Sequence, residues 1–510
     1  MNRLSKSALL PVSLLLLGGL ADAARADDYF ALTQIGNVGR SVAAELVDLN
    51  GDGRTDLFVA AMIGIPPEEE RILRVYLQGE DGKLPGEPSH ILPIPEWSAV
   101  YDVADVRADA SGVELVLLRP DGVTILSLAS PEGRRWDLAV PGPIAAGLAD
   151  DERGFERYKL VFRDFGSEPL LIVPQIGQLT LLAPDGEVRG QMAVARRANY
   201  FIIPSAGLLS LESDFQVFVD VPKTTLGDVN GDGRIDVVSS TRHEIRVFLR
   251  KEDGSYPPEA SRRLALGLVT PRDHIRGSGG VVCEPRDIDG DGRLDLLVTH
   301  AQGSVRDATS STYLYLNRRG GWDLAKPDQV IGPRKSVGSN ALLDLDRDGT
   351  RELIQAEISF SLLELVELLL SQEVDATLSV YDYEEGVGFG EKPRAERSFS
   401  LPFSFDTFRL KGFVPSAEVD INGDGYLDFV SSGGGEEIEI YRGDENAPFA
   451  DRVGDQELDT AGVIHFGDLD SDGLADFVIF DPHNFDVPVR LGRNLGTLPG
   501  TPPGLTTRPE

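Results

Sequence analysis

The chain has 510 residues, 41% of them hydrophobic, and a formal net charge of −34. That apolar share is enough for a packed core, while the acidity disfavours nucleic acid and anionic membrane surfaces as partners. A single cysteine, Cys283, excludes any disulfide within the chain and reads as a small buried hydrophobe.

The N-terminus carries Arg3 and Lys6, an apolar run from Ala8 to Leu20, and the small-x-small string Ala24-Arg25-Ala26. This is the pattern of a signal peptide over residues 1–26, with an apolar run too short and interrupted for a stable span. The expectation is an exported protein, periplasmic or extracellular, whose mature form starts at Asp27. No later segment has the roughly 18 uninterrupted apolar residues of a membrane span. An exported chain of this size without disulfides needs another staple.

The string VDLNGDGRTDLFVA, starting at Val47, supplies a candidate. Six copies of its core occur, at Asp48–Asp56, Asp228–Asp236, Asp287–Asp295, Asp344–Glu352, Asp420–Asp428 and Asp468–Asp476. Positions 1, 3 and 5 offer side-chain oxygens: Asp48, Asn50, Asp52; Asp228, Asn230, Asp232; Asp287, Asp289, Asp291; Asp344, Asp346, Asp348; Asp420, Asn422, Asp424; Asp468, Asp470, Asp472. Position 7 offers a backbone carbonyl, from Arg54, Arg234, Arg293, Thr350, Tyr426 and Leu474. Position 9 is a carboxylate again: Asp56, Asp236, Asp295, Glu352, Asp428 and Asp476. Position 6 is always Gly, which permits the sharp turn needed to wrap a chain around an ion. Hard oxygen donors in a flexible loop suit calcium, with magnesium second, so about six Ca²⁺ sites are expected. Acidic turns without a metal would crowd three or four like charges together, which is unfavourable.

An EF-hand needs a bidentate Glu at position 12, between two helices. Here position 12 is Val59, Ser239, Val298, Gln355, Ser431 or Ile479, and apolar β-formers follow position 9 at once. The loops therefore sit in β-hairpins. After each comes an alternating strand such as LRVYLQ or IRVFLR, a Gly/Asp turn and a looser strand, which makes four strands per unit. Two weaker units start at Asp105, where Arg107 replaces a ligand, and at Asp164, where nearly all ligands are lost. Units thus start at 48, 105, 164, 228, 287, 344, 420 and 468. The expectation is an all-β propeller over residues 27–497, with eight blades favoured and seven as the alternative. The last unit lacks its fourth strand, and DYFALTQIG near the N-terminus reads as that strand, placed to close the ring.

These loops at about sixty-residue spacing resemble the FG-GAP (VCBS) repeat family, which includes the integrin alpha-subunit propeller. The resemblance implies a calcium-binding propeller of the exported bacterial type. It leaves function open, because related propellers serve in adhesion, in carbohydrate binding and, in some pectic-polysaccharide lyases, in catalysis.

The long step from 344 to 420 marks an insertion, and Ile358–Gln372 reads as a helix with Leu362, Leu365, Val366 and Leu369 on one stripe. It packs across the propeller, or docks a partner through Leu362–Leu370. Arg442-Gly443-Asp444 falls in a hairpin turn, and turn chemistry accounts for it. His90, His243, His274, His300, His465 and His483 make no metal-binding spacing; His300 and His465 lie where each can line the central channel. No catalytic residue is identifiable. From Leu498 the Pro-rich tail to Glu510 reads as disordered. The functional expectation is a non-enzymatic binding or scaffold protein for a protein or glycan ligand. The alternatives are a lyase-like polysaccharide enzyme, favoured by Lys, Arg, His and Tyr clustered over the channel, and a cell-envelope subunit docked through the inserted helix.

Overall fold

In the computed structural model, residues 28–502 are described apart from 66–67, 145–153, 164–167, 197, 205–212, 220, 277–278, 304–308, 319, 335, 360–372, 405–408, 411, 414, 433–434, 446–447 and 450. The signal-peptide reading therefore lies outside the described residues.

Eight antiparallel blades follow one another along the chain. Blade 1 runs Arg40–Val47, Asp56–Ile63, Glu70–Tyr76 and His90–Pro93. Blades 2 and 3 are the two weak units, with second strands Glu114–Arg119 and Leu170–Gln175. Blades 4 to 7 have second strands Asp236–Ser240, Asp295–Gln302, Glu352–Ser359 and Asp428–Ser432. In seven blades the second strand starts at the position-9 acid or, in blade 2, at its counterpart Glu114, so there the acidic loop joins strands one and two. Second strands such as Asp236–Ser240 are buried throughout, because a blade in a ring is packed on both faces. Fourth strands such as Arg262–Ala265 alternate with exposed positions, as an outer edge does.

Blade 8 is completed by the N-terminus. Phe30–Ile35 pairs antiparallel with Val489–Asn494, Phe30 opposite Asn494 and Ile35 opposite Val489. Gln456 of blade 7 fixes this strand: its Oε1 accepts from the backbone nitrogens of Tyr29 and Phe30, and its Nε2 donates to Phe30 O. The first strand of blade 1 then packs on the first and second strands of blade 8. With Phe30–Ile35 paired to it, the third strand of blade 8, Val489–Asn494, is covered and not left as an edge open to strand addition. The expectation of eight blades with a closing N-terminal strand holds.

Three expectations change. Residues 358 and 359 are not helical: the second strand of blade 6 runs on to Ser359, with Ile358 paired to Val337 and Ala376. Ladder hydrogen bonds on both sides override the helical spacing there; the rest of the predicted helix, with Leu362–Leu370, lies outside the described residues. The tail is placed further than expected. Leu498 is buried in the core between blades 7 and 8, Pro499 O accepts from Asn422 Nδ2, and Thr501 closes a turn on Leu498. Residues 503–510 lie outside the described part. Finally, a two-stranded hairpin, Ala198–Pro204 with Ser213–Val219, stands between blades 3 and 4 and had no signal in the repeat spacing. The structure also contains a short helix, Pro271–Arg276, and no helix among the described residues is long and apolar enough to cross a membrane.

Candidate functional site

The six acidic loops share one hydrogen-bond pattern. The position-1 Asp accepts the position-6 Gly N–H, from Gly53 to Asp48 at 2.9 Å and from Gly233 to Asp228 at 2.7 Å; Gly292, Gly349, Gly425 and Gly473 do the same. The position-5 carboxylate accepts the position-7 N–H in all six, from Arg54, Arg234, Arg293, Thr350, Tyr426 and Leu474. Positions 4 and 6 both take left-handed φ; position 4 is Gly in four loops but Arg347 (φ 58) and Ser471 (φ 60) in the others. The sequence reading singled out position 6 only. A side chain in this region is strained, so blades 6 and 8 hold their loops at some conformational cost.

Carboxylate oxygens converge accordingly. Oxygens of Asp287, Asp289 and Asp291 lie within 4.8 Å of one another, as do those of Asp344, Asp346 and Asp348, and of Asp468, Asp470 and Asp476. In blades 1, 4 and 7 the position-3 residue is Asn, and its amide nitrogen donates to position 5. In blades 1, 4 and 5 the position-7 Arg also pairs with position 5: Arg54 with Asp52, Arg234 with Asp232 and Arg293 with Asp291.

A fit test for a cation comes from oxygens that the protein leaves unsatisfied. Asp287 Oδ1, Asp344 Oδ1, Asp470 Oδ1 and Asp472 Oδ2 are buried and have no hydrogen-bond partner. Such atoms are costly unless a partner is supplied, and all four lie at positions 1, 3 or 5. An oxygen-seeking divalent ion is the group this donor set fits.

Position 9 behaves differently from positions 1, 3 and 5. Its side chain is buried, at 0% exposure for Asp56, Asp236, Asp295 and Asp476. One oxygen accepts the position-2 N–H in every loop, for example Leu49 to Asp56 at 2.9 Å and Leu469 to Asp476 at 2.6 Å. In five loops the other oxygen accepts an N–H from the end of the third strand or just past it: Gln78, Arg250, Asn317, Gly443 or Asn494. Burial pushes Asp295, Asp428 and Asp476 up to about 7, against the pull of these N–H donors and reinforced by the acidic neighbours in the same loop. Glu352 is likewise pushed to about 7 by burial, against the Leu345 N–H and with Asp346 and Asp348 adding to it. A nearby cation relieves this strain.

The position-9 latch fixes position 2, and position 2 faces the next blade. Leu49, Val229, Ile288, Leu345, Ile421 and Leu469 are all buried. Loop carbonyls accept hydrogen bonds across the seam between blades: Asp48 O from Val113 N at 2.9 Å, Asp228 O from Leu294 N at 2.8 Å, Ile288 O from Arg351 N at 3.1 Å and Leu345 O from Leu427 N at 3.0 Å. Side-chain amides repeat the device: Gln78 Nε2 to Leu469 O at 2.8 Å, Asn317 Nδ2 to Val229 O at 2.7 Å and Asn494 Nδ2 to Ile421 O at 2.8 Å. An apolar residue after the turn that follows each third strand plugs the same seam: Leu84, Tyr256, Trp322, Phe389, Phe449 and Leu498, each packed on the preceding blade. The tail is placed at Leu498 because Leu498 is the last plug. Each acidic loop is thus a rivet between two blades.

Blade 2 keeps the rivet and has a basic residue, Arg107, at position 3. Glu114, 0% exposed, takes the position-9 role and accepts the N–H groups of Val106 and Arg107 at 2.7 and 3.2 Å. Arg107 Nε binds Asp109 at 2.9 Å, and its Nη1 reaches across the seam to Pro184 O at 2.6 Å. The guanidinium lies over Trp136, 5.0 Å from the ring centroid. A guanidinium therefore stands at position 3 of this loop, where Arg107 replaces a ligand; the sequence reading did not foresee its bond across the seam.

A second constellation lies on the axial side of the ring. The short strand Glu156–Arg157 pairs parallel with the first strand of blade 2. Glu45 of blade 1, 4% exposed, accepts from Tyr101 Oη at 2.8 Å and from Arg157 Nη1 at 2.7 Å. His465 of blade 8 lies 3.7 Å from the same carboxylate, and its Nδ1 meets Ala44 O at 2.9 Å. Three neighbouring blades therefore bring an acid, a phenol, a guanidinium and an imidazole together. His300, by contrast, is buried at 3% exposure against Gln302, and burial lowers its basicity.

The fold and these loops define a β-propeller riveted by acidic turns. Residues 228–298, 287–354 and 420–479 match the FG-GAP-like repeat. No curated protein matches the sequence. Among solved structures, a lectin of Agrocybe aegerita that recognises non-reducing terminal N-acetylglucosamine is 14% identical, over 90% of this chain and 87% of that one, with a TM-score of 0.34. An exotype rhamnogalacturonan lyase, YesX, is 14% identical over 90% of this chain and 66% of that one, with a TM-score of 0.32. Sqt1 of Chaetomium thermophilum is 12% identical over 90% and 99%, with a TM-score of 0.39.

Proposed function

We propose that the protein is an exported, calcium-stabilised propeller that binds a protein or glycan ligand, or scaffolds one, without transforming it. The observation that supports the calcium part is the set of buried, unpartnered carboxylate oxygens at Asp287, Asp344, Asp470 and Asp472. Positions 1, 3, 5 and 7 of the six loops, with position 9 behind them, are the residues that would hold the ions. Calcium, when bound, supplies positive charge to three or four crowded carboxylates. The chain's own residues carry the effect outward: position 9 latches position 2, and position 2 and its carbonyl hold the next blade. Export follows from residues 1–26, and it fits a chain whose one cysteine is buried and whose staples are ionic. Calorimetric titration of chelator-stripped protein tests this reading. It predicts about six calcium ions per chain and much weaker uptake of magnesium; a protein that takes up no calcium contradicts it.

The axial cluster favours a second reading, a lyase-like polysaccharide enzyme. If His465 donates through Nδ1 to Ala44 O, its Nε2 is left as an acceptor, and the half-exposed Arg157 approaches the same Glu45 carboxylate as this imidazole. That pairs a base with a cation suited to a sugar carboxylate. Release of unsaturated product from acidic polysaccharides, lost in His465→Ala, would establish this reading; its absence leaves the binding protein.

A further inference from the structure

The acidic loop of blade 7 is covered as the other five are not. Positions 4 to 6 are exposed in blades 1, 4, 5 and 6, and positions 4 and 6 in blade 8, whereas none of Gly423, Asp424 and Gly425 is exposed. On one side lies Arg347 of blade 6, whose Nη2 is 3.5 Å from Asp420 Oδ2. On the other lies the segment that carries the last plug. Thr501 N and Oγ1 both donate to Leu498 O, at 3.2 and 2.8 Å, and close a turn around Pro499 and the left-handed Gly500 (φ 94). These are the central residues that a type II turn favours. A Cβ on Gly500 would stand 2.7 Å from Asn422 Nδ2 and 3.2 Å from Arg442 Nη1, so glycine lets the turn lie this close to the loop.

The contact falls on a ligand position. Asn422, at position 3, is 2% exposed. Its Nδ2 donates to Asp424 Oδ2 at 2.9 Å and to Pro499 O at 3.2 Å, and its Oδ1 accepts Asp424 N at 3.1 Å. With both amide hydrogens spent on oxygens, turning the amide over would set Oδ1 against two acceptors. The turn therefore holds Oδ1 on the loop side. Asn50 and Asn230 make the bond to position 5 but, among the described residues, none of the second kind. Their loops also carry Arg54 and Arg234, which pair with the position-5 carboxylate. In blade 7 position 7 is Tyr426, so no guanidinium reaches Asp424 from there.

We propose that the turn Leu498–Thr501 is the outer wall of the blade 7 site. Pro499 O presets Asn422 Oδ1 as a ligand, and the turn must lift away for release, so this loop holds calcium longest of the six. This role rests on the calcium reading above and singles out one loop within it. Pro499 and Gly500 are positioning residues, since they touch Asn422 and not the ion position. An outer partner that orients a metal ligand is worth roughly tenfold to a hundredfold in affinity. Arg347 opposes this only weakly, because its side chain is 60% exposed and solvent screens its charge.

The test follows calcium released from the loaded full chain into a fluorescent chelator, by stopped flow. In the wild type one ion is expected in a separate, slowest phase. Asp424→Ala should abolish that phase, while Asp52→Ala and Asp232→Ala should leave it. Gly500→Ala drives the turn off Asn422, and Thr501→Pro removes both bonds that close the turn. Each should speed the slow phase by about tenfold or more. The faster phases should stay as they are, which shows that the variants fold. A slow phase that survives Asp424→Ala, or that either turn variant leaves unchanged, overturns the role of the turn. Release of every ion in one phase overturns it too and leaves the calcium reading standing. No calcium uptake by the folded wild type overturns both.

Discussion

The loops of blades 1 and 2 share one latch and differ in what stands at position 3. In blade 1, position 3 is Asn50, which donates to Asp52, Arg54 at position 7 also pairs with Asp52, and Asp56 latches Leu49. In blade 2, Arg107 occupies position 3, pairs with Asp109 and crosses to Pro184 O, while Glu114 latches Val106. On the calcium reading proposed above, the blade 1 seam takes an ion from solution, while the blade 2 seam carries a charge on the chain. That reading divides the ring into an ion-dependent arc, blades 4 to 8 and 1, and an ion-independent one at blade 2. The difference teaches that the latch is the element these loops share.

Chelation should break the first arc. At about 1 mM ion and a dissociation constant near 0.1 mM, linkage contributes on the order of 1.4 kcal/mol per site, so six sites contribute roughly 8 kcal/mol. A large fall in thermal midpoint in chelator is expected in scanning calorimetry, reversed by calcium and little by magnesium. An unchanged midpoint would remove ions from the account.

Two substitutions separate latch from ligand. Asp476→Ala leaves the Leu469 and Asn494 N–H groups buried without an acceptor. It should cost about 2–5 kcal/mol with or without calcium. Asp52→Ala should cost about 1.4 kcal/mol in calcium and little in chelator. Equal losses in denaturant melts under both conditions for both variants would erase the distinction.

Arg107→Asp should convert blade 2 into a loop of the other kind. It removes the bond to Pro184 O and sets three carboxylates beside Glu114. The variant should lose about 1–3 kcal/mol in chelator, regain part of it in calcium, and bind one more ion by titration. A variant indifferent to calcium would show that the guanidinium does not substitute for an ion.

The smallest effect concerns pH. Asp295, Glu352, Asp428 and Asp476 are pushed up to about 7 without an ion. A raised carboxyl contributes stability while protonated, so metal-free protein should lose stability as pH rises from the ordinary carboxyl range through about 7. Calcium requires the ionised form, so the loaded protein should show no such loss. Urea midpoints across that range, with and without chelator, check the sign.

The architecture was legible because the loop repeats. Six Asp-Gly turns, each followed by β-formers, fix where the second strands start, and the orphan DYFALTQIG matched the missing strand of blade 8. The seam chemistry was less legible, because its partners lie in different blades. Gln78, Asn317 and Asn494 carry no local signal, and their acceptors sit in the preceding blade around the ring. The plug at Leu498 looked like the start of a loose tail, since Pro and Gly surround it. Position 9 read as one more ligand; only its burial between two backbone N–H groups reveals the latch. The axial cluster unites Glu45, Tyr101, Arg157 and His465 from distant parts of the chain, so no spacing announced it.

Hydrogen exchange read by mass spectrometry, in calcium and then in chelator, tests the central claim most directly. The account predicts that in chelator protection falls at the Asp48, Asp228, Asp287, Asp344, Asp420 and Asp468 loops and at the strands across their seams. Protection of the Val106 and Arg107 N–H groups, held by Glu114, should stay as it was, whereas Val113, bonded across the seam to Asp48 O, should weaken with the blade 1 loop. Uniform loss around the ring, or equal loss in blade 2, would contradict the division into two arcs.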